Sequence, residues 1–433
     1  MSLFYNSFRN YLATADGRGL GNLLSPTNSD HNSFAFSTNH SQIRSQVQNE
    51  LYGISSFRNG ITDKGKNGWI DAVVAFWEVV YELERGDTGR RMGEDGDLGY
   101  WGRAYAKQSV YTTVIARGFT SHGWPNWLLP VVYTACRNLR QFAISADEED
   151  KREGKDASKL EDCARHLNKM FTLCLADRAP MEESRKWGTY YIVNLLFKTY
   201  FKLNAITLCK NVIRALSATT TEMPPLDAFP KSHIVTFKYY VGVIHFLEED
   251  YVTSETHLTA ALQLCRRDCP TNQEHILTYL IPAHLMTTHQ LPTSTLFQNY
   301  PRLKHLFGPL CRCIKSGNLG AFDAALEANE DEYVRRRIYL TLERARDIAL
   351  RNLFRRVFLL GEKKTRVPVE EFRRAMGFAV AGKEGGTRKE CEPEEVECLL
   401  AGMIYKGLMK GYISREKGMV VLSNKEAFPG TGV

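Results

Sequence analysis

Apolar residues recur at intervals of three and four along almost the whole chain, and that spacing commits it to helices packed on helices. Between residues 69 and 84 the stripe is Trp69, Val73, Trp77 and Val80. Similar stripes run through 105–117 and 128–144, and a Gly- and Asp-rich turn is expected over 86–99. The charged run 146–158 (ADEEDKREGKDAS) holds too few apolar residues to bury, so it reads as a solvated loop or linker and marks a boundary. A chain of 433 residues is too long for one ordinary core and implies roughly two to four domains or one extended repeat array.

From residue 181 the helices come in pairs. The stretch 186–202 is followed by 204–216, whose stripe is Ile206, Cys209, Ile213 and Leu216; a Pro-bearing loop, 219–230, leads to 234–248 and then 251–265. In that last pair Gly242 is followed by Ser254, Leu258 and Ala261, a small-small-large-small pattern that lets two helices approach as in a tetratricopeptide-type hairpin. Short helices read at 274–280, 303–315 and 318–329. Residues 330–360 contain no Gly or Pro, and Ile338, Leu342, Ala345, Ala349, Leu353, Val357 and Leu360 form one stripe. One long helix, or two nearly continuous ones, is expected. Arg335, Arg337, Arg344, Arg351 and Arg355 lie off the stripe and should face solvent or a partner.

The end of the chain changes character. Residues 365–367 are short and β-like, and Pro368-Val369-Glu370-Glu371 reads as a helix start. A glycine-rich connection, 382–386, leads to a helix over 393–411 that buries Val396, Leu399, Leu400, Met403, Ile404 and Leu408 and is closed by Gly411. Two strands, 412–415 and 419–422, are joined by Glu416-Lys417-Gly418. Strand, helix, helix and hairpin is the winged-helix order.

Charge sharpens the picture. From residue 301 on there are 25 Lys and Arg against 18 Asp and Glu, whereas the first 300 residues hold 31 of each. The whole excess of +7 sits in the last third, which points to a polyanionic partner. The ten cysteines include no CxxC knuckle and read as small hydrophobes, Cys209, Cys265 and Cys398 among them, so no metal and no cofactor is expected. No apolar stretch reaches the roughly 18 residues of a membrane span, and the first residues (Met1-Ser2-Leu3-Phe4-Tyr5-Asn6) lack the basic and apolar regions of a secretory signal. A soluble intracellular protein is expected.

Enzymatic motifs fail on inspection. Gly60-x4-Gly65-Lys66 matches a phosphate loop until Asn67 replaces its Ser or Thr, and no strand precedes it; Gly17-x-Gly19-x-Gly21 reads as a turn. His284-x4-His289 lacks zincin spacing, and no GxSxG is present.

The repeats, long helix and terminal winged helix together resemble the PCI domain, shared by subunits of the proteasome lid, the signalosome and a translation initiation factor. The residues that carry the likeness are Tyr239-Tyr240-x-Gly242, Glu249-Asp250-Tyr251, Cys313-Ile314-Lys315-Ser316-Gly317-Asn318-Leu319, Val396-Glu397-x6-Ile404-x2-Gly407-x3-Gly411-Tyr412-Ile413 and Gly418-Met419-Val420-Val421-Leu422-Ser423. Asn194-Leu195-Leu196-Phe197-Lys198-x-Tyr200-Phe201-x-Leu203-Asn204 and Ile276-Leu277-x-Tyr279-Leu280-Ile281-Pro282 narrow it. They resemble the signalosome-subunit-twelve-like branch, close to the PCI subunit of the TREX-type mRNA-export complex. The fold expected is mainly α, an α-solenoid of TPR-like helical hairpins followed by a C-terminal winged helix. Its divisions are an N-terminal helical region (1–180), the repeats with the long helix (181–360) and the winged helix (361–433).

The resemblance implies a non-catalytic scaffold in nuclear mRNA processing and export, with the cytoplasm as a second location. It implies pairing with a second PCI protein through the winged helix, and binding of a small acidic Dss-type protein along the helical repeats. An open β-edge suits the first partner. Lys198, Lys202, Lys210, Lys231 and Lys238, interleaved with aromatics such as Tyr239 and Tyr240, suit the second. RNA or DNA backbone is assigned to Lys363, Lys364, Arg366, Arg373, Arg374, Lys406, Lys410, Arg415 and Lys417, which should share one surface. Glu394, Glu395 and Glu397 at the start of the second helix disfavour insertion into a groove, leaving phosphate contacts. With four to six contacts on a single strand, the slope of log affinity on log salt should be roughly −3 to −4. The alternative is a structural subunit of a signalosome- or proteasome-lid-type assembly that binds no nucleic acid.

Overall fold

The computed structural model describes residues 2–28, 42–52, 63–91, 99–380 and 392–429. Two compact units emerge, Met1–Phe237 and Lys238–Val433.

The first unit is a succession of helices: α1 (Ser2–Ala13), α2 (Gly17–Leu23), α3 (Ile43–Tyr52), α4 (Asp63–Arg91), α5 (Tyr100–Ser121), α6 (Leu129–Arg152), α7 (Lys159–Leu175), α8 (Thr189–Lys202) and α9 (Ile206–Ala218). From α4 to α9 each packs on the next in the sequence, the arrangement of a helical solenoid. The stripe over 69–84 is confirmed, with Trp69, Val73, Trp77 and Val80 all buried. Trp69 stacks on Trp124 with ring centroids 4.1 Å apart. Phe4, Phe8, Phe76 and Tyr111 complete an aromatic core, each ring contributing about 1.5–3 kcal/mol by leaving water.

Three expectations fail here, each for a local reason. The run 146–158 remains helical to Arg152, because Ala146 and Asp147 are buried and Asp147 caps the next helix. Its carboxylate accepts from the Lys159 and Leu160 amides at 2.8 and 3.0 Å. The turn placed over 86–99 is helix as far as Arg91, and Gly86 is small because the Tyr100 ring lies where a Cβ would stand; residues 92–98 lie outside the described residues. Gly17-x-Gly19-x-Gly21 is not a turn but helix α2. A Cβ on Gly17 would overlap the Trp127 carbonyl oxygen, and one on Gly21 would stand 2.9 Å from that of Pro130. Gly65 and Lys66 of the phosphate-loop look-alike lie inside α4, and Gly60 lies outside the described residues.

The unit boundary falls within α10 (Lys231–Leu247). In the second unit follow α11 (Tyr251–Leu264), α12 (Pro270–Thr287), α13 (Ser294–Asn299), α14 (Pro301–Ser316) and α15 (Leu319–Glu327). Asp250 caps α11 through the Thr253 amide at 3.2 Å, and a Cβ on Gly242 would stand 2.7 Å from Leu258 Cγ, so the hairpin pattern works as expected. The short helix expected at 274–280 is α12, which is longer because Pro270 occupies its first turn. Gly317, at φ 65°, ends α14, and Asn318 caps α15 through the Ala321 amide at 3.0 Å.

The uninterrupted helix expected over 330–360 is three pieces, α16 (Glu330–Arg335), α17 (Tyr339–Arg344) and α18 (Arg346–Leu360). Arg337 adopts φ 59°, and the Ile338 amide reaches back to the Tyr333 carbonyl at 2.9 Å. The buried Tyr333 donates its hydroxyl to Leu306 O at 2.6 Å, which holds the break in place. The stripe is buried from Ile338 to Ala349, whereas Leu360 is 86% exposed. Arg351 overturns the expectation of an outward face. It is 2% exposed and donates to the Phe428 and Pro429 carbonyls at 3.2 and 3.1 Å.

The chain then forms β1 (Arg366–Pro368), α19 (Val369–Val380), α20 (Pro393–Tyr405), β2 (Gly411–Ser414) and β3 (Met419–Leu422). The glycine-rich connection 382–386 lies outside the described residues. Gly407, at φ 71°, and not Gly411 closes α20; Gly411 opens β2. The strands make one antiparallel sheet in the order β1-β3-β2, so β1 joins the hairpin as its third strand. A mainly helical solenoid followed by a winged helix is the architecture expected.

Candidate nucleic-acid interface

Register divides the sheet into two sides. Val367, Val420 and Ile413 stand in one cross-strand row, and Val367 and Val420 are 3% and 0% exposed, so this side packs inward. Arg366, Val421 and Tyr412 form the neighbouring row; Pro368, Met419 and Ser414 form the next outward row. Tyr412 is 63% exposed. β2 lies at one edge of the sheet and, among the described residues, pairs with no strand besides β3.

The nine cations assigned to nucleic acid do not form one equivalent set. Arg366 lies on the outward side of β1, Lys363 and Lys364 in the segment just before it, and Lys417 in the β2–β3 turn. Lys363, Arg366 and Lys417 carry no ion pair among the described residues. The other six are engaged: Lys364 with Glu362 at 3.8 Å, Arg373 and Arg374 with Glu370 at 2.6 and 3.3 Å, Lys406 with Asp347 at 2.5 Å, Lys410 with Glu426 at 2.7 Å, and Arg415 with Glu397 at 3.5 Å. The Arg373 hydrogen bond holds the Glu370 carboxyl below its ordinary range. Lys406 is tied to the first turn of α18, and Lys363 follows the last turn of that helix. A helix of 15 residues spans about 22 Å, so these two lie at opposite ends of it. Glu394 and Glu395 occupy the exposed first turn of α20, against groove insertion.

The residues assigned to an acidic partner are also dispersed along several helices. In the first unit Lys198 and Lys202 are exposed on α8, with Lys202 3.6 Å from Glu148; Lys210 is half-buried on α9, and Lys231 opens α10. In the second unit Lys238, Tyr239 and Tyr240 are half-buried on α10. Tyr239 packs on Tyr240 and Tyr279 at 5.1 and 6.1 Å, so this pair builds the hairpin core as well as lining its surface. Sequence reading missed the outward Tyr412 and the 92% exposed Tyr405; the period-two alternation of β2 was the signal for the former.

Among the described residues no group of three or more His, Cys, Asp or Glu is placed to hold a metal ion, and no helix is long and apolar enough to cross a membrane. Cys136, Cys163, Cys174 and Cys209 are buried, as small hydrophobes should be, whereas Cys398 is exposed, against expectation; Cys391 lies outside the described residues.

Residues 326–424 match the PCI domain. The chain is 45% identical to the Protein CSN12 homolog of Neurospora crassa over the full length of both. It is 44% identical to the Protein CSN12 homolog of Gibberella zeae, over 92% of this chain and 91% of that one. It is 34% identical to PCI domain-containing protein 2 of Xenopus laevis, over 75% of this chain and 79% of that one.

Proposed function

The chain belongs to the CSN12-homolog family of PCI-domain proteins, and on that premise we propose that it is a non-catalytic scaffold subunit whose winged helix binds nucleic acid backbone. In this reading it pairs with a second PCI protein through the winged helix and with a small acidic Dss-type protein along the repeats. The assembly serves nuclear mRNA processing and export. The observation that carries the nucleic-acid part is the set Lys363, Arg366 and Lys417, exposed around one small sheet and without an ion pair among the described residues. Such cations are available to release counterions from phosphates, giving salt-sensitive and largely sequence-indifferent binding. The β2 edge supports the PCI pairing, and the lysines of α8 to α10 support an acidic partner.

A second reading has its own support. Six of the nine cations are already paired inside the molecule, which suits a structural subunit whose remaining basic residues dock an acidic neighbour. Mobility-shift titration of the full chain, alone and with its PCI partner, on single- and double-stranded oligonucleotides separates the two. The adaptor reading expects binding that disappears when Lys363, Arg366 and Lys417 are changed to Glu. Absence of binding in every arm would leave the structural-subunit reading.

A further inference from the structure

We propose that the outward side of the three-stranded sheet is a stacking platform for the bases of single-stranded nucleic acid, with Tyr412 as the stacking ring. The inference rests on the nucleic-acid reading above and names the form of the ligand.

An antiparallel sheet with one wet side normally alternates apolar residues inward with polar residues outward. Here the inward rows obey the rule and the outward rows do not. Tyr412, Val421 and Met419 face outward, with Tyr412 63% exposed and the other two half-buried. Burial on the inward side already satisfies the fold, so the outward apolar row is not needed to hold the strands together.

Charge selects the occupant. Arg366 stands in the same row as Tyr412, across Val421, and no carboxylate occupies any of the six outward positions of the sheet. Strands about 4.8 Å apart place the Arg366 and Tyr412 backbones about 10 Å from each other. The two side chains bracket a base on the ring and its phosphate at the guanidinium. Lys363 and Lys417 flank the same sheet and extend the phosphate track. An aromatic ring beside such a track accepts any exposed base, whereas a duplex keeps its base faces covered. A protein strand would add to the β2 edge through its main chain and leave this side bare.

The test uses the full chain and fluorescence anisotropy. Its probes are labelled oligo-thymidine and oligo-uridine, a matching abasic strand with the same number of phosphates, and a duplex. Tyr412→Ala should weaken both single strands about 5- to 150-fold without changing the salt slope, and Tyr412→Phe should bind as wild type. The abasic strand should bind wild type as poorly as oligo-thymidine binds the alanine variant. An alanine variant of undiminished affinity, an abasic strand bound equally well, or a duplex bound as tightly as the single strands would overturn the platform while leaving backbone binding intact. Loss of PCI-partner pairing in Tyr412→Ala with nucleic-acid affinity retained would assign this side to protein instead. No binding of any strand by wild type would remove the underlying reading as well.

Discussion

Asp177 shows how one side chain can set the acid limit of the first unit. It is 5% exposed between α7 and α8. It accepts from the Arg185 guanidinium at 2.5 Å, the Arg185 amide at 2.7 Å and the Ser184 hydroxyl at 3.1 Å. Burial alone would raise its pKa, but the Arg185 and Ser184 hydrogen bonds prevail and hold it at about 2 against an ordinary 3.8. A carboxylate depressed in the folded state stabilises fully above its unfolded value and loses that contribution as pH falls through the folded one. The window is therefore pH 3.8 down to about 2, and the shift is worth about 2 kcal/mol. All six tryptophans precede residue 188, so tryptophan-monitored urea unfolding reads this unit. Asp177→Asn should lower stability near neutral pH by about 2 kcal/mol and flatten the loss between pH 4 and 2; an unchanged acid limb would show that the cluster is not energetically coupled to the fold. Residues of this kind are invisible in sequence. The same holds for Arg351, whose place off an apolar stripe suggested solvent, yet it lies buried over the Phe428 ring, where desolvation and the nearby Arg355 lower its pKa to about 10.

At the scale of elements, two glycines argue opposite cases. Gly17 lies in α2 where a Cβ would overlap the Trp127 carbonyl, so Gly17→Ala must displace backbone and should cost about 1–3 kcal/mol despite the better helix propensity of alanine. Gly102 lies in α5 with nothing within 4 Å, so Gly102→Ala should gain about 0.5 kcal/mol. The same unfolding assay checks both, and a stabilising Gly17→Ala would mean that α2 is not held against the 126–130 segment as described. Helices were legible wherever an apolar stripe repeated, because packing acts through that stripe. Their ends were not. The charged run before Arg152 stays helical because Asp147 has a capping task thirteen residues ahead, and Arg337 breaks a Gly-free run because buried Tyr333 fixes the preceding turn. The order of the winged helix could be read from composition, and the alternation within β2 sets Tyr412 opposite to Ile413, but which row Tyr412 shares across the sheet required the register on β3.

At the scale of the whole molecule, the charge excess of the last third divides into cations without an ion pair among the described residues and cations that are neutralised at home. Glu370 accounts for two of the six neutralised cations, since it engages both Arg373 and Arg374. If only Lys363, Arg366 and Lys417 meet phosphates, a single strand should bind with a salt slope of about −2, shallower than nine cations on one surface would give. Glu370→Gln removes the one carboxylate that engages Arg374 while keeping the size and hydrogen-bonding shape of the side chain, and exposed ion pairs of this kind contribute little to stability. With Arg374 added as a fourth contact the slope should steepen to about −2.8 and affinity at low salt should rise, measured by anisotropy of labelled oligo-thymidine across a salt series. Changing Arg374 to Ala in the wild-type background should leave the slope near −2, because its guanidinium is already engaged by Glu370. A Glu370→Gln variant with an unchanged slope would place this part of α19 away from the strand and leave Arg374 with an internal role only.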